Sequence, residues 1–340
     1  MTTAHKSRVL DMTRGDPFRL LLQFSLPLFC SNLLQQVYNL TDTALAGHLL
    51  GSAALAEIGA TAALYGLIMN FAFGMNNGLA LTVSRCFGAG EREGIRRAVG
   101  WMVTLSAAVS IVLTTVSLLG RGALLQVLQV PAEVWDGAAA YLTVILLGIP
   151  LTMLYNMEAA LLRAVGNSVT PLLFLLFSSV LNVGLDAAFM GPLGMGVRGA
   201  AVATVLAQGI SAVLGAVYLV RSYPELHFTL AHLKKSARRA VMNMFWAGMS
   251  MGLMSAIYNL GSVALQSSIN ALGSVYITAQ TAARRMAEMY FIPGGALGIG
   301  VATFSSQNLG AGRRSRIGQS VRAALKIYFV WWLFVLAFTF

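Results

Sequence analysis

Residues 88–95 read GAGEREGI and residues 310–317 read GAGRRSRI; each run closes an apolar stretch and opens a basic loop. The two copies stand 222 residues apart. Gly78 and Gly300 share that offset, as do Leu50-Gly51-Ser52 and Leu272-Gly273-Ser274. Tyr38-Asn39-Leu40 and Tyr258-Asn259-Leu260 stand 220 apart, a difference that one two-residue insertion explains. Matches that keep their order and near-constant spacing mark an internal structural repeat.

The stretches around these copies are strongly apolar. The 340 residues are 57% hydrophobic and only 10% charged, which excludes a set of water-soluble domains. Disorder needs the opposite balance, and the glycines lack the period of three that collagen requires. A helix that crosses a bilayer needs about 20 mostly apolar residues. Such stretches lie near 20–43, 55–84, 98–120, 138–160, 169–190, 199–220, 241–266, 275–307 and 323–340, so nine crossings are expected. The second and eighth are long for one crossing, which predicts tilt or an extension beyond the hydrocarbon. The first has no small-residue cleavage pattern behind it and reads as a retained span.

The expected fold class is therefore an all-α polytopic membrane protein. Because the first crossing matches the seventh and the second the eighth, each repeat unit holds six crossings in the same orientation. Residues 1–221 are read as an N-lobe with transmembrane helices 1–6, and residues 222–240 as a cytoplasmic inter-lobe linker, basic and containing proline. Residues 241–340 are read as a partial C-lobe with helices 7–9. A complete second unit would run well past Phe340, so the chain is expected to be truncated after about nine of twelve helices.

The net charge of +11 follows this topology. Lys and Arg gather before the first span, at 85–97, at 221–239 and at 313–326, with Arg163 alone in the remaining loop on that side. The positive-inside rule places these loops and the N-terminus in the cytoplasm and the chain in the plasma membrane. A nucleic-acid patch is a competing reading of residues 221–239, but basic juxtamembrane segments are expected in such a chain anyway, and no nucleic-acid partner is inferred. Cys30 and Cys86 are too few for a disulfide framework, and the four histidines form no metal spacing. With no Walker loop and no evident hydrolase triad, the chain reads as neither an enzyme nor a cofactor protein.

Ionisable groups inside a span cost several kcal/mol against lipid, so they usually face a cavity, a partner or water. Asp42 and Asp186 are the principal cases. Gln35, Tyr38 and Asp42 share one helix face with Gln36 on its flank; Ser178, Asn182 and Asp186 repeat every four residues; Thr204 and Gln208 do the same in the sixth span. At about 1.5 Å per residue, Asp186, Thr204, Asp42 and Tyr141 fall at a similar level in the outer half of the membrane, so one pocket is geometrically allowed. Such a set either changes protonation or holds a hard cation through oxygen ligands. The rival reading is hydrogen bonding between helices, which weighs more for Ser178 and Gln208 than for the acids. Glu57, Glu158 and Glu288 are expected near span ends, where reaching for water stands equal with a functional role, and Arg284 and Arg285 are read in the same way. Met249, Met251 and Met254 fit either an adaptable drug surface or ordinary packing.

Several segments carry a resemblance: YNLTDTALAGHLLGSAALAEIGA, the loop starts SRCFGAG and SQNLGAG, ALLRAVGNSVTP, and LNVGLDAAF followed by GVRGAAVAT. In this order they resemble the multidrug and toxic compound extrusion (MATE) family, although Arg85 stands where the first glycine motif has Gln. The resemblance implies twelve helices in two lobes, a monomer in the lipid bilayer, and alternating access that exports small organic, often cationic compounds against sodium or protons. It implies a cation-coupling site of Asp42, Asn182, Asp186 and Thr204, which would also be the sodium ligands. Gln35, Gln36, Tyr38, Tyr141, Ser178 and Gln208 stand as supporting or substrate-cavity residues. Tyr258 and Asn259 recur in the second lobe, but Ser262 replaces the acid. Sodium and proton both remain open, with the neutral oxygens favouring sodium. Two alternatives stand beside this reading. One is a flippase of lipid-linked saccharides, which calls for an arginine-lined cavity where these central spans are poor in basic residues. The other is a membrane protein that does not transport.

Overall fold

The computed structural model describes residues 9–234, 236–270 and 274–339, and regular structure among them is helical throughout. Nine long helices follow in order: α1 Pro17–Leu50, α2 Ser52–Ala89, α3 Arg92–Leu119, α4 Trp135–Ala164, α5 Val169–Met190, α6 Val197–Ser222, α7 Arg238–Asn270, α8 Ser274–Gly310 and α9 Ser315–Thr339. Among the described residues, eight helices are long and apolar enough to cross a membrane. The ninth long helix, α8, carries Arg284, Arg285 and Glu288 in its first half. Lys235, residues 271–273 and the side chains of Asn259 and Ser262 lie outside the described residues.

Local chemistry fixes where the helices begin and end. Asp16 caps α1 by accepting from the Arg19 N–H at 3.0 Å, and Pro17 occupies the first turn, where no amide donor is needed. Gly90 and Gly312 take left-handed φ values of 70° and 73° in the two copies of the repeated motif, ending α2 and α8 in the same way. With 34 and 38 residues, α1 and α2 are about 51 and 57 Å long, more than the roughly 30 Å of a hydrocarbon core, so both project beyond it.

Loops alternate between two ends of the bundle. The basic face carries residues 9–16 and the turns after α2, α4, α6 and α8; the opposite face carries the turns after α1, α3 and α5. On the half toward the basic face, α2 lies against α7 and α8 through small residues. Gly74 and Gly78 of α2 oppose Gly248 and Gly252 of α7, where a Cβ on Gly78 would stand 2.5 Å from the Ala247 carbonyl oxygen. Further down, Ser84 Oγ donates to the Thr303 carbonyl at 3.2 Å, and Ser306 Oγ donates to the Leu81 carbonyl at 2.6 Å.

These contacts are reciprocal. Ser84 and Ser306 are repeat equivalents, and so are Leu81 and Thr303, each pair at the offset of 222. Gly88 abuts the carbonyl of Gln307, and its equivalent Gly310 abuts the carbonyl of Arg85, the equivalent of Gln307. When i meets j and the copy of j meets the copy of i, the halves are related by a local two-fold axis, as in an isologous dimer. The sequence repeat thus appears as a symmetric seam.

A strap of residues 10–16 crosses the basic end of that seam. The Leu10 N–H donates to the Gly166 carbonyl at 3.1 Å, in the turn after α4. The Met12 N–H donates to Gln307 Oε1 at 3.2 Å, and Asn308 Nδ2 donates to the Met12 carbonyl at 2.9 Å. Arg313 Nη1 donates to the Thr13 carbonyl at 2.6 Å, and Arg316 Nη2 to the Gly15 carbonyl at 2.8 Å. Met12 is fully buried, with Leu21, Phe24, Ala296 and Phe304 in the same core.

Candidate cation site and inter-lobe cavity

Four helices bring the polar residues of the first six crossings together. Asp42 and Tyr38 come from α1, Asn182 and Asp186 from α5, Thr204 and Gln208 from α6, and Tyr141 from α4. Asp186 is wholly buried, Asn182, Thr204 and Tyr141 are nearly so, and Asp42 is half-buried. The Asp42 and Asp186 carboxyls lie close enough to interact, and the Tyr38 hydroxyl lies close to the Thr204 side chain. With its amide nitrogen toward the acid, Asn182 donates to Asp186 Oδ2 at 2.8 Å and accepts from the Thr204 N–H at 3.2 Å. Thr204 Oγ1 donates to the Ala200 carbonyl at 3.1 Å.

One oxygen of each acid, Asp42 Oδ1 and Asp186 Oδ1, is buried without a protein partner. Two carboxyls can bond to one another only when one of them carries a proton; a cation between them is the other way to offset their repulsion. The cluster therefore offers two carboxyls and a hydroxyl to a proton or to a hard cation, with the Asn182 amide holding Asp186 in place as a donor.

The remaining candidates sit around this centre in different ways. Gln208 Oε1 accepts from Thr152 Oγ1 at 2.6 Å, and its side chain also bonds to Tyr65, so Gln208 belongs to a second polar layer beneath Thr204. Tyr65 and Thr152 were not singled out from the sequence, although a lone polar residue in an apolar span is the same signal that marked Thr204. Ser178 is buried on α5, two turns from Asp186. Gln35 lies apart from the cluster, donating along α1 to Asn39 Oδ1 at 3.3 Å, and Gln36 is exposed. Helical spacing aligned Gln35 with Asp42, but a bond to its own i+4 neighbour holds it on the helix surface.

Two expectations about charge are corrected. Arg163, read as a loop residue, lies in the last turn of α4 and is 6% exposed, because α4 continues to Ala164 and the strap and the buried turn 165–168 cover its end. Glu158, read as reaching for water, is 4% exposed and packs beside Ser211 and Tyr155 on the inner side of the first six helices. The space for its carboxylate comes from Gly215, where a Cβ would collide with Oε2.

Arg163 also lines a cavity of about 420 Å³ between the two halves of the chain. Its walls come from α1, α2, α4, α7 and α8, with Phe73, Asn77, Ser84, Met251, Met254 and Thr303 among them. The Ser84–Thr303 contact closes it toward the basic face. Toward the opposite face Val37, Leu40, Met254 and Tyr258 are exposed.

The family model described as MatE matches residues 27–188 and 250–340, covering both arms of the reciprocal seam and most of the cluster. The chain belongs to the MatE family. Among its relatives is "Probable multidrug resistance protein YpnP" of Bacillus subtilis, 29% identical over 310 residues, which make up 91% of this chain and 69% of the relative. "Probable multidrug resistance protein YoeA" of the same organism is 26% identical across 90% of this chain and 68% of that protein. A solved structure described as the outward-facing conformation of a multidrug resistance MATE family transporter superposes with a TM-score of 0.86. It shares 25% identity and covers 99% of this chain and 74% of that one. As a MatE protein the chain is a multi-pass membrane protein of a transporter family, and not an enzyme.

Proposed function

We propose that the chain exports small amphipathic organic compounds across the plasma membrane, driven by a cation that binds at Asp42, Asp186, Asn182 and Thr204. The observation that carries this reading is the closeness of a buried and a half-buried carboxyl, each with one buried unpartnered oxygen, beside the Asn182 amide and the Thr204 hydroxyl. Evolution retains so costly a pair when occupancy of the site does work. The multidrug-resistance descriptions of the relatives support small organic substrates. In this reading the basic face, with the N-terminus, is cytoplasmic. The closed basic half and exposed opposite half then correspond to an outward-facing state of an alternating-access cycle.

The Thr204 hydroxyl beside the acid pair favours sodium over protons, since a pure proton carrier needs no neutral oxygen ligand. In proteoliposomes containing the chain, a sodium gradient at equal pH drives dye exchange, and Asp42→Asn and Asp186→Asn each abolish it while insertion persists. Thr204→Val and Asn182→Leu weaken the sodium response more than any response to pH. Exchange driven by a pH gradient and indifferent to sodium would make the aspartates proton carriers. Full coupled exchange in both Asn variants would refute the site, and no exchange by the unaltered chain would support a protein that does not transport.

A further inference from the structure

We infer that the cavity between the two halves binds the anionic group of an amphiphile, a carboxylate or phosphate, through Arg163. The inference deepens the export reading by naming the substrate class that this cavity selects. Among the described residues lining the cavity, Arg163 carries the one charge and no Asp or Glu faces it. None of the ion pairs among the described residues includes Arg163. A guanidinium keeps its charge in proteins, and burying a charge is costly unless something compensates it.

The compensation present is partial. Arg163 Nη2 donates to Asn77 Oδ1 at 3.1 Å, and its guanidinium carbon lies 5.5 Å from the centre of the Phe73 ring. The carbonyls of the last turn of α4 add a weak favourable field. Nε remains buried with no partner. A planar fork with an unused donor, at the wall of a cavity of about 420 Å³, matches the paired oxygens of a carboxylate or phosphate. Phe73, Met251 and Met254 give the rest of the ligand an adaptable apolar wall. A cation in the same space would meet Arg163 with no acid nearby to offset it.

The test uses the chain in nanodiscs of neutral phosphatidylcholine and a pair of photoactivatable probes of equal length, a diazirine-bearing hexadecanoate and the corresponding hexadecylamine. Mass spectrometry locates the labelled residues, so the readout needs neither an ion gradient nor transport and is independent of whether the chain exports anything. The carboxylate probe is expected to label the segments around Phe73 and Met251–Met254, with little labelling by the amine. Arg163→Gln lowers that labelling by about tenfold to a hundredfold, the range for one lost charge-assisted bond, whereas Arg163→Lys, which keeps the charge but not the fork, gives labelling between the two. Should Arg163→Gln fail to fold, Gly298→Leu serves: a Cβ there meets nothing within 4 Å, so the side chain fills the cavity and blocks labelling with Arg163 intact. Competition by phosphatidic acid in the disc identifies a membrane lipid as the ligand; competition by octanoate alone identifies a free anionic compound. Equal labelling by the amine, labelling unchanged in a folded Arg163→Gln variant, or competition by neither anion overturns the inference.

Discussion

Replacing Gly78 by alanine adds one methyl group at the seam between α2 and α7. The new Cβ would stand 2.5 Å from the Ala247 carbonyl oxygen, 2.7 Å from Gly248 Cα and 2.9 Å from the Ala247 carbonyl carbon, all of them backbone atoms. No rotamer change relieves such a contact, so the helices must part by about 0.9 Å to move the oxygen from 2.5 to 3.4 Å, the edge of ordinary contact. Overpacking of this kind costs about 1–3 kcal/mol. Gly74 lies one turn away on the same seam, with its Cβ position 2.5 Å from the Met251 carbonyl oxygen. A single outward displacement of α7 relieves both clashes. Gly74→Ala and Gly78→Ala are therefore each destabilising, yet the double variant loses clearly less than the sum, because the second methyl enters a gap the first has opened. Equilibrium unfolding of the chain in mixed detergent micelles measures all three losses. Additive losses would falsify the idea that the seam parts as a unit, and unchanged stability in both single variants would show that the seam is not packed as described.

Three further outcomes are expected. Gly215→Ala destabilises by driving a methyl against Glu158, and Glu158→Ala in the same chain restores part of the loss; thermal unfolding with no rescue would place Glu158 elsewhere. Arg316→Ala removes the bonds to the Gly15 carbonyl and to Asn308 Oδ1, so the amides of Leu10 and Met12 exchange with solvent about tenfold faster by hydrogen-exchange mass spectrometry, while those of α4 do not change. In a background of Cys30→Ser and Cys86→Ser, a cysteine at Ser236 reacts only with a membrane-permeant thiol reagent in intact cells, and one at Ser52 reacts with an impermeant one. The reverse pattern would invert the topology.

The helices were legible in the sequence because a bilayer imposes length and apolarity together, and the residue offset of 222 marked which residues of the two halves are equivalent; that Ser84 meets Thr303 and Ser306 meets Leu81 became visible only in the structure. Asp42, Asp186, Asn182 and Thr204 were legible for the same reason: a polar group inside an apolar run stands out, and rise per residue gives its depth. The surroundings of Arg163 were not. Its position at the end of an apolar stretch is compatible with water or with a cavity, and only the strap and the turn at 165–168, which cover that end, decide between them. Glu158 hides its burial similarly, since the space it occupies is provided by a glycine on another helix, 57 residues away in the numbering from 158 to 215. Gln35 shows the opposite error: periodicity gives a face, but a local bond decides which way a long side chain turns.

The strap has a consequence for biosynthesis. Residues 10–13 leave the ribosome well before their partners Gln307, Asn308 and Arg313, which lie 295 to 300 positions later in the chain. At about 5–20 residues per second, the Met12 amide waits on the order of 15–60 s for its acceptor. Until α8 is inserted the α4 turn can offer only the Gly166 carbonyl to this segment. Residues made some 295 to 300 positions before their partners are thus among the last to find all their bonds, and ribosome-bound intermediates halted before α8 should leave residues 10–16 open to protease.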